Sequence, residues 1–254
     1  MERTQETPYH AGPSLLALAI VYTLLVAASI VSGLLLKHGM AVVNPYSPGE
    51  EARRFFADNP VALRVSSYFL FGSSVPLGIY AATVVSRLRF LGVRAAGTYI
   101  ALGGGFAAAA SLAISGLCAW VLSVPEVSAS MAASRLMHFM VILFGGVGFA
   151  VAFGLLTAGV SVTSHFFGLL PRWQVWFGIG IAAAGELSSL SLVAMLAAPL
   201  IPVVRFCGFV WLIAVGATLP QTIRASEVPV GTVATSPERT RAEVQHLLSC
   251  RFLM

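Results

Sequence analysis

Glu186 lies inside the apolar run from Trp173 to Val204, and it is the single charge there. A carboxylate at mid-bilayer costs about 2.5–3.5 kcal/mol on insertion scales, so it must be protonated, paired or wetted. Such a group can relay a proton, hold a cation or anchor a polar ligand. Equally, a neutral carboxyl can hydrogen-bond neighbouring helices together. Glu186 falls one helical repeat after Ala182, on a face of small residues, which points it at other helices. Ser188, Ser189 and Ser191 follow it. Arg135 and His138, one turn apart, share a face at the start of another span, and Glu126 lies within reach of Arg135. Arginine and histidine at a span end also serve as plain interface anchors. Ser73 and Ser74 precede Pro76, which removes a backbone hydrogen bond, so these hydroxyls are candidates to pair the freed carbonyl. Glu186, Ser189, His138, Arg135, Ser73 and Ser74 together form the candidate intramembrane polar site.

No catalytic set accompanies them. The chain has no nucleophile elbow, P-loop or dinucleotide fingerprint, and Gly103-Gly104-Gly105 lies within an apolar run rather than after a strand. The histidines at 10, 38, 138, 165 and 246 include no pair at helical ligand spacing, so no metal or cofactor is expected. Cys118, Cys207 and Cys250 read as small apolar fillers.

The elements that must position these side chains follow from composition. The 254 residues are 57% apolar and 10% charged, with mean hydropathy +0.87. Soluble domains carry about a quarter charged residues, so a water-soluble globule, a disordered chain and a disulfide scaffold are all excluded. An all-α, polytopic transmembrane bundle remains. Charged residues are missing from 7–36, 65–86, 95–125, 136–171 and 206–223, and 173–204 holds Glu186 alone. About 20 apolar residues cross a bilayer as a helix, so these runs predict six spans at about 14–36, 61–86, 95–124, 135–160, 174–198 and 206–223. The first is too long for a signal-peptide core and is read as a retained span. Arg3, Arg87, Arg89, Arg94, Arg172, Arg224, Arg239, Arg241 and Arg251 fall on one side, nine of the fifteen basic residues, which predicts both termini in the cytoplasm. The net charge of +5 is explained by lipid headgroups and calls for no nucleic acid.

Two short helices are expected outside the spans. Ser47-Pro48-Gly49-Glu50 reads as a capping box opening a helix to Asp58. Its apolar residues Ala52, Phe55 and Phe56 are read as lying on the membrane surface, with a roof over the bundle as the alternative. Residues 225–236 read as a linker, and Pro237 to about Cys250 as an amphipathic helix, so 1–224 is the transmembrane domain and 225–254 a cytoplasmic tail. Small residues recur at four-residue steps: Gly97, Ala101, Gly105, Ala109 and Ala113 in the third span; Gly146, Ala150, Gly154 and Ala158 in the fourth; the fifth shows Gly178 and Ala182, with Gly185 and Ser189 continuing that face. These stripes predict that spans three, four and five form the tightly packed centre. No repeat links the two halves.

Gly168-Leu169-Leu170-Pro171-Arg172-Trp173, the Arg205-to-Gly216 segment RFCGFVWLIAVG, the first span and the Asn59-Pro60 turn resemble a group of bacterial six-span membrane proteins catalogued as a domain of unknown function. The likeness covers about 14–220. It implies a six-span architecture and a bacterial inner membrane, and carries no activity or site residue. Three functions are open. The leading one is a structural, regulatory or partner-binding membrane component, with lipid, protein partners or a second copy as what it touches. The second is a small-solute or proton-coupled transporter using Glu186 in a cavity within the bundle. The third is an intramembrane enzyme.

Overall fold

The computed structural model describes residues 9–38 and 47–222. The expected linker and tail helix, with the arginines of 224–251, lie outside the described residues. Within them the chain is α-helical: α1 (Leu15–Leu35), α2 (Gly49–Asp58), α3 (Pro60–Phe90), α4 (Ala96–Val121), α5 (Pro125–Ala129), α6 (Met131–Ile142), α7 (Phe149–Phe167), α8 (Arg172–Ser188) and α9 (Leu200–Thr218). A π-helical turn, Leu143–Gly148, joins α6 to α7, and two short 3-10 turns separate α8 from α9. Six helical stretches are long and apolar enough to cross a membrane.

These six are unequal. Leu15–Leu35, Arg172–Leu192 and Leu200–Thr218 have 21, 21 and 19 residues. At about 1.5 Å per residue each just crosses a hydrocarbon core of about 30 Å. Pro60–Phe90 and Met131–Phe167 have 31 and 37 residues and must extend well past it. One end of the bundle is level. There Arg87 of α3 meets the Leu219 carbonyl just after α9, Gly216 abuts Leu16, and Gly97 of α4 abuts Thr163 of α7. The surplus therefore gathers at the other end. We call the level end the basic end, after Arg87, Arg89, Arg94 and Arg172, and the other the cap end.

The cap is built by α2. Its Ala52 and Phe56 are buried with Leu122 against Leu63, Met137 and Val141. Phe56 also meets the His138 ring edge-on at 5.1 Å. The helix thus roofs the ends of α3, α4 and α6 rather than resting its apolar face on lipid. It starts at Gly49 with Pro48 at the N-cap, one residue after the expected serine cap. Asn59 fastens the junction: its Nδ2 donates to the Phe55 carbonyl at 2.8 Å and its Oδ1 accepts from the His38 N–H at 2.7 Å.

Stripe residues line the helix seams, though not only those of spans three to five: Gly105 and Ala109 face α3, and Gly104 and Gly159, outside the stripes, make the tightest contacts between α4 and α7. A Cβ on Gly104 would lie 2.6 Å from the Leu156 nitrogen, and one on Gly159 would lie 2.6 Å from the Ala101 nitrogen. Across the next seam, a Cβ on Gly185 would lie 2.6 Å from the Ala150 carbonyl oxygen. Helix α7 therefore presents Ala152, Leu156, Gly159 and Thr163 to α4, and Ala150 and Gly154 to α8. Such close backbone approach is what holds helices together where lipid is as apolar as leucine.

The last two spans differ from expectation. The fifth is α-helical to Ser188 and ends with a 3-10 turn at Leu192, short of 198; the sixth opens at Leu200, not 206. Ser188 and Ser189 donate to the carbonyls of Gly185 and Glu186, each at 2.6 Å, where the α-helix gives way to 3-10 turns. Pro202 then sits in the first turn of α9, where a missing N–H costs nothing. This earlier start places Arg205 inside the helix.

Candidate functional site

The six candidate residues do not converge. Glu186 is exposed, in the last turn of α8, rather than buried among helices at mid-span. The reason is angular: the buried face of α8 runs through Gly178, Ile181, Ala182, Gly185 and Ser188, and Glu186 falls 100° round from Gly185. Ser189 spends its hydroxyl on the Glu186 backbone carbonyl. Ser73 and Ser74 donate to the Leu70 and Phe71 carbonyls at 2.6 Å, one turn back, and not to the Gly72 carbonyl that Pro76 frees. Arg135 donates to the Ser47 carbonyl at 2.8 Å, tying α6 to the start of α2, with its guanidinium 5.3 Å from the Phe139 ring centre. It makes no ion pair with Glu126. His138 packs under Phe56 at the cap. Among the described residues the one hydrogen bond between any two of the six is that of the Ser189 hydroxyl to the Glu186 backbone carbonyl, and no ion pair joins them.

Polar structure is gathered in three other places. At the basic end, Arg87 is 1% exposed. Its Nη1 donates to the Leu219 carbonyl at 3.4 Å and its Nε has no partner. His10 lies beside it, with Nε2 3.0 Å from Ser86 Oγ, its ring edge-on to Phe90, and Nδ1 buried without a partner. Burial first, and the Arg87 charge second, hold the His10 imidazole below its ordinary range. The segment is closed by His10 N–H donating to the Gln221 carbonyl at 3.0 Å and by the Tyr9 hydroxyl donating to Gln221 Oε1 at 2.5 Å.

Between α8 and α9, Gln174 is the staple. The Thr218 hydroxyl donates to its Oε1 at 2.7 Å, its Nε2 donates to the Ala214 carbonyl at 3.3 Å, and the Trp211 indole donates to its backbone carbonyl at 3.1 Å. Gly178 makes room for that indole: a Cβ there would lie 2.5 Å from its nitrogen.

Towards the cap end, Arg205 of α9 donates through Nη2 to the Gly145 carbonyl of the π-turn. Its guanidinium lies 4.9 Å from the Phe149 ring centre. A π-turn widens the helix by one residue and misaligns its carbonyls, leaving an acceptor turned outward. Gly145 has no room for a side chain, since its Cβ would lie 2.5 Å from Ser115 Oγ. The ion pairs among the described residues are those of Glu50 with Arg53 and Arg54, so neither Arg87 nor Arg205 has a carboxylate partner there.

Sequence reasoning passed over these groups. Arg87 and Arg205 counted as loop charges because charge was used to end spans. Pro202, three residues into a run beginning at Leu200, is the signal for the earlier start of α9. The Gly145-Gly146 pair marks the π-turn, though a glycine pair alone does not distinguish it from close packing.

Fold and polar groups together define a multi-pass α-helical membrane protein: six apolar helices long enough to cross a membrane, closely packed through small residues. Comparison with protein-family models, curated proteins and solved structures found no match to the chain.

Proposed function

We propose that this chain is a structural, regulatory or partner-binding component of a bacterial inner membrane, acting through its surfaces, with both ends in the cytoplasm. One observation carries the reading: the α4–α7–α8 interior is closed by backbone contacts at Gly97, Gly104, Gly159 and Gly185, and the polar candidates are spread around it. A solute path needs polar groups from several helices facing one cavity. Here the hydroxyls of Ser73, Ser74, Ser188 and Ser189 are each spent on a carbonyl of their own helix. The exposed Arg89 and Arg94, with Arg172, support a cytoplasmic basic end. The sequence resemblance supports the bacterial address. The docked α2 cap and the lipid-facing helix faces are the surfaces available to a protein partner or a second copy.

The test is reconstitution of the full chain in liposomes with a panel of ions and small solutes, beside Glu186→Gln. The reading expects uptake at the rate of empty liposomes for both. Uptake by the wild type that is lost in Glu186→Gln would replace it with proton-coupled transport.

A further inference from the structure

We propose that Arg205, where α9 meets the π-turn, seats a phosphate-type oxyanion. A guanidinium stays ionised, and at the edge of a bilayer it requires an anion or water. Among the described residues no carboxylate lies within ion-pair distance of it. Its neighbours orient it without a counter-charge: the Gly145 carbonyl takes an Nη2 proton, the Phe149 ring lies against the guanidinium, and the buried Tyr22 phenol is nearby. Among the described residues Nε and Nη1 find no hydrogen-bond partner, yet neither is among the sealed, unpartnered atoms, and the residue is half-buried. The second Nη2 proton, paired with Nε–H or with an Nη1 proton, leaves one edge of the guanidinium as a fork, the geometry that grips a phosphate through two oxygens.

Its level in the bilayer fits a headgroup. Phe149 is the first residue of α7 and Phe167 the last. At about 1.5 Å per residue, the guanidinium lies roughly 27 Å from the basic end, close to the full hydrocarbon thickness. Beside it α6 continues past the membrane, whereas the α8–α9 connection stops, with Val193 90% and Leu196 93% exposed. Ile201, one turn before Arg205, packs on Gly146. An anionic lipid at this shoulder would put its phosphate on Arg205 and its chains on α9. A free phosphate ion offers the same oxygens without the chains.

The experiment uses the full chain in nanodiscs of phosphatidylcholine with or without phosphatidylglycerol, read by native mass spectrometry for retained lipid. A second arm follows the melting temperature in detergent against millimolar inorganic phosphate. The wild type is expected to keep one phosphatidylglycerol with about tenfold preference over phosphatidylcholine, and Arg205→Gln to lose that preference. Arg89→Gln, a change to an exposed arginine at the basic end, should leave it intact. A melting rise with phosphate in wild type, absent in Arg205→Gln and without lipid preference, assigns the seat to the free ion. If Arg205→Gln does not accumulate, Arg205→Lys is read instead. An ammonium cannot hold the carbonyl and two phosphate oxygens in one plane, so its preference should fall about threefold or more. Equal retention of both lipids with no phosphate effect in wild type overturns the proposal. So does a variant at position 205 that binds as the wild type does.

Discussion

The α4–α7–α8 interior and the α8–α9 end are built on opposite plans. The first is held by backbone against backbone, with glycine and alanine at the crossing points and no ionised group. The second is held by side chains: Arg205 on a π-turn carbonyl, and Gln174 stapling Thr218, Ala214 and Trp211. The difference teaches where substitution will hurt. A dry seam tolerates no added volume, because no flexible side chain can move aside. A side-chain-held end tolerates changed volume but not a lost donor or acceptor.

The largest effect is therefore expected at Gly159→Leu. Its added atoms collide with the Gly97 and Ala101 backbone, and overpacking at such a seam costs more than the usual 1–3 kcal/mol or so. Folded yield in detergent should collapse, whereas Gly103→Leu, with nothing within 4 Å of its Cβ, should melt within a few degrees of wild type. Equal melting of the two would dissolve the contrast. Next, Phe56→Ala empties the α2 dock, at about 3 kcal/mol if the burial is fully lost. Protease cleavage within 47–58 should rise, with the transmembrane helices still protected.

Arg87 sharpens the comparison, because it is a buried cation within the helices yet belongs to the side-chain-held plan. Replacing a buried charge lacking a counter-ion with an apolar residue of similar size is neutral or stabilising. Arg87→Met should therefore melt at or above the wild-type temperature; a large drop would mean that the charge has a partner. Smaller still is a pH effect at His10. Its folded-state pKa is lowered, so the unfolded chain binds a proton first. Stability from this contact is complete above about pH 6.5 and is lost as pH falls below that value. Limited proteolysis near Tyr9 should increase between pH 8 and 5, and His10→Gln should remove the dependence. Glu50 gives the smallest effect. Hydrogen bonds from Arg53 and Arg54 lower its pKa to about 2, so the exposed pair holds α2 throughout the neutral range and weakens as pH falls from about 4.5 towards 2. Glu50→Gln should change α2 protection by less than about twofold.

The same contrast explains what the sequence made legible. Six spans and the α4–α7–α8 seams could be read because lipid demands unbroken apolar runs and close packing demands four-residue spacing of small side chains. Both are one-dimensional patterns. Glu186 was misplaced because a 100° step separates it from Gly185, and a stripe of small residues on a short helix does not resolve that angle. The end of α8 was misjudged because apolar residues continue through the 3-10 turns to Leu196, so hydropathy carries no sign of the break. Arg205 reads as a loop residue in the sequence because a charge there marks the edge of an apolar run. Its acceptor, the Gly145 carbonyl, belongs to a backbone irregularity 60 residues away.

Cysteine accessibility tests the central claim, a sealed interior with function at the surface, most directly. Ala150→Cys, Ala182→Cys and, as a reference at the exposed end of α2, Asp58→Cys are placed singly in the full chain in membranes and treated with a water-soluble maleimide from both sides. The account predicts rapid labelling at 58 and none at 150 or 182. Labelling at 150 or 182 at a rate comparable to 58 would reveal a water path through the α7–α8 seam and contradict it.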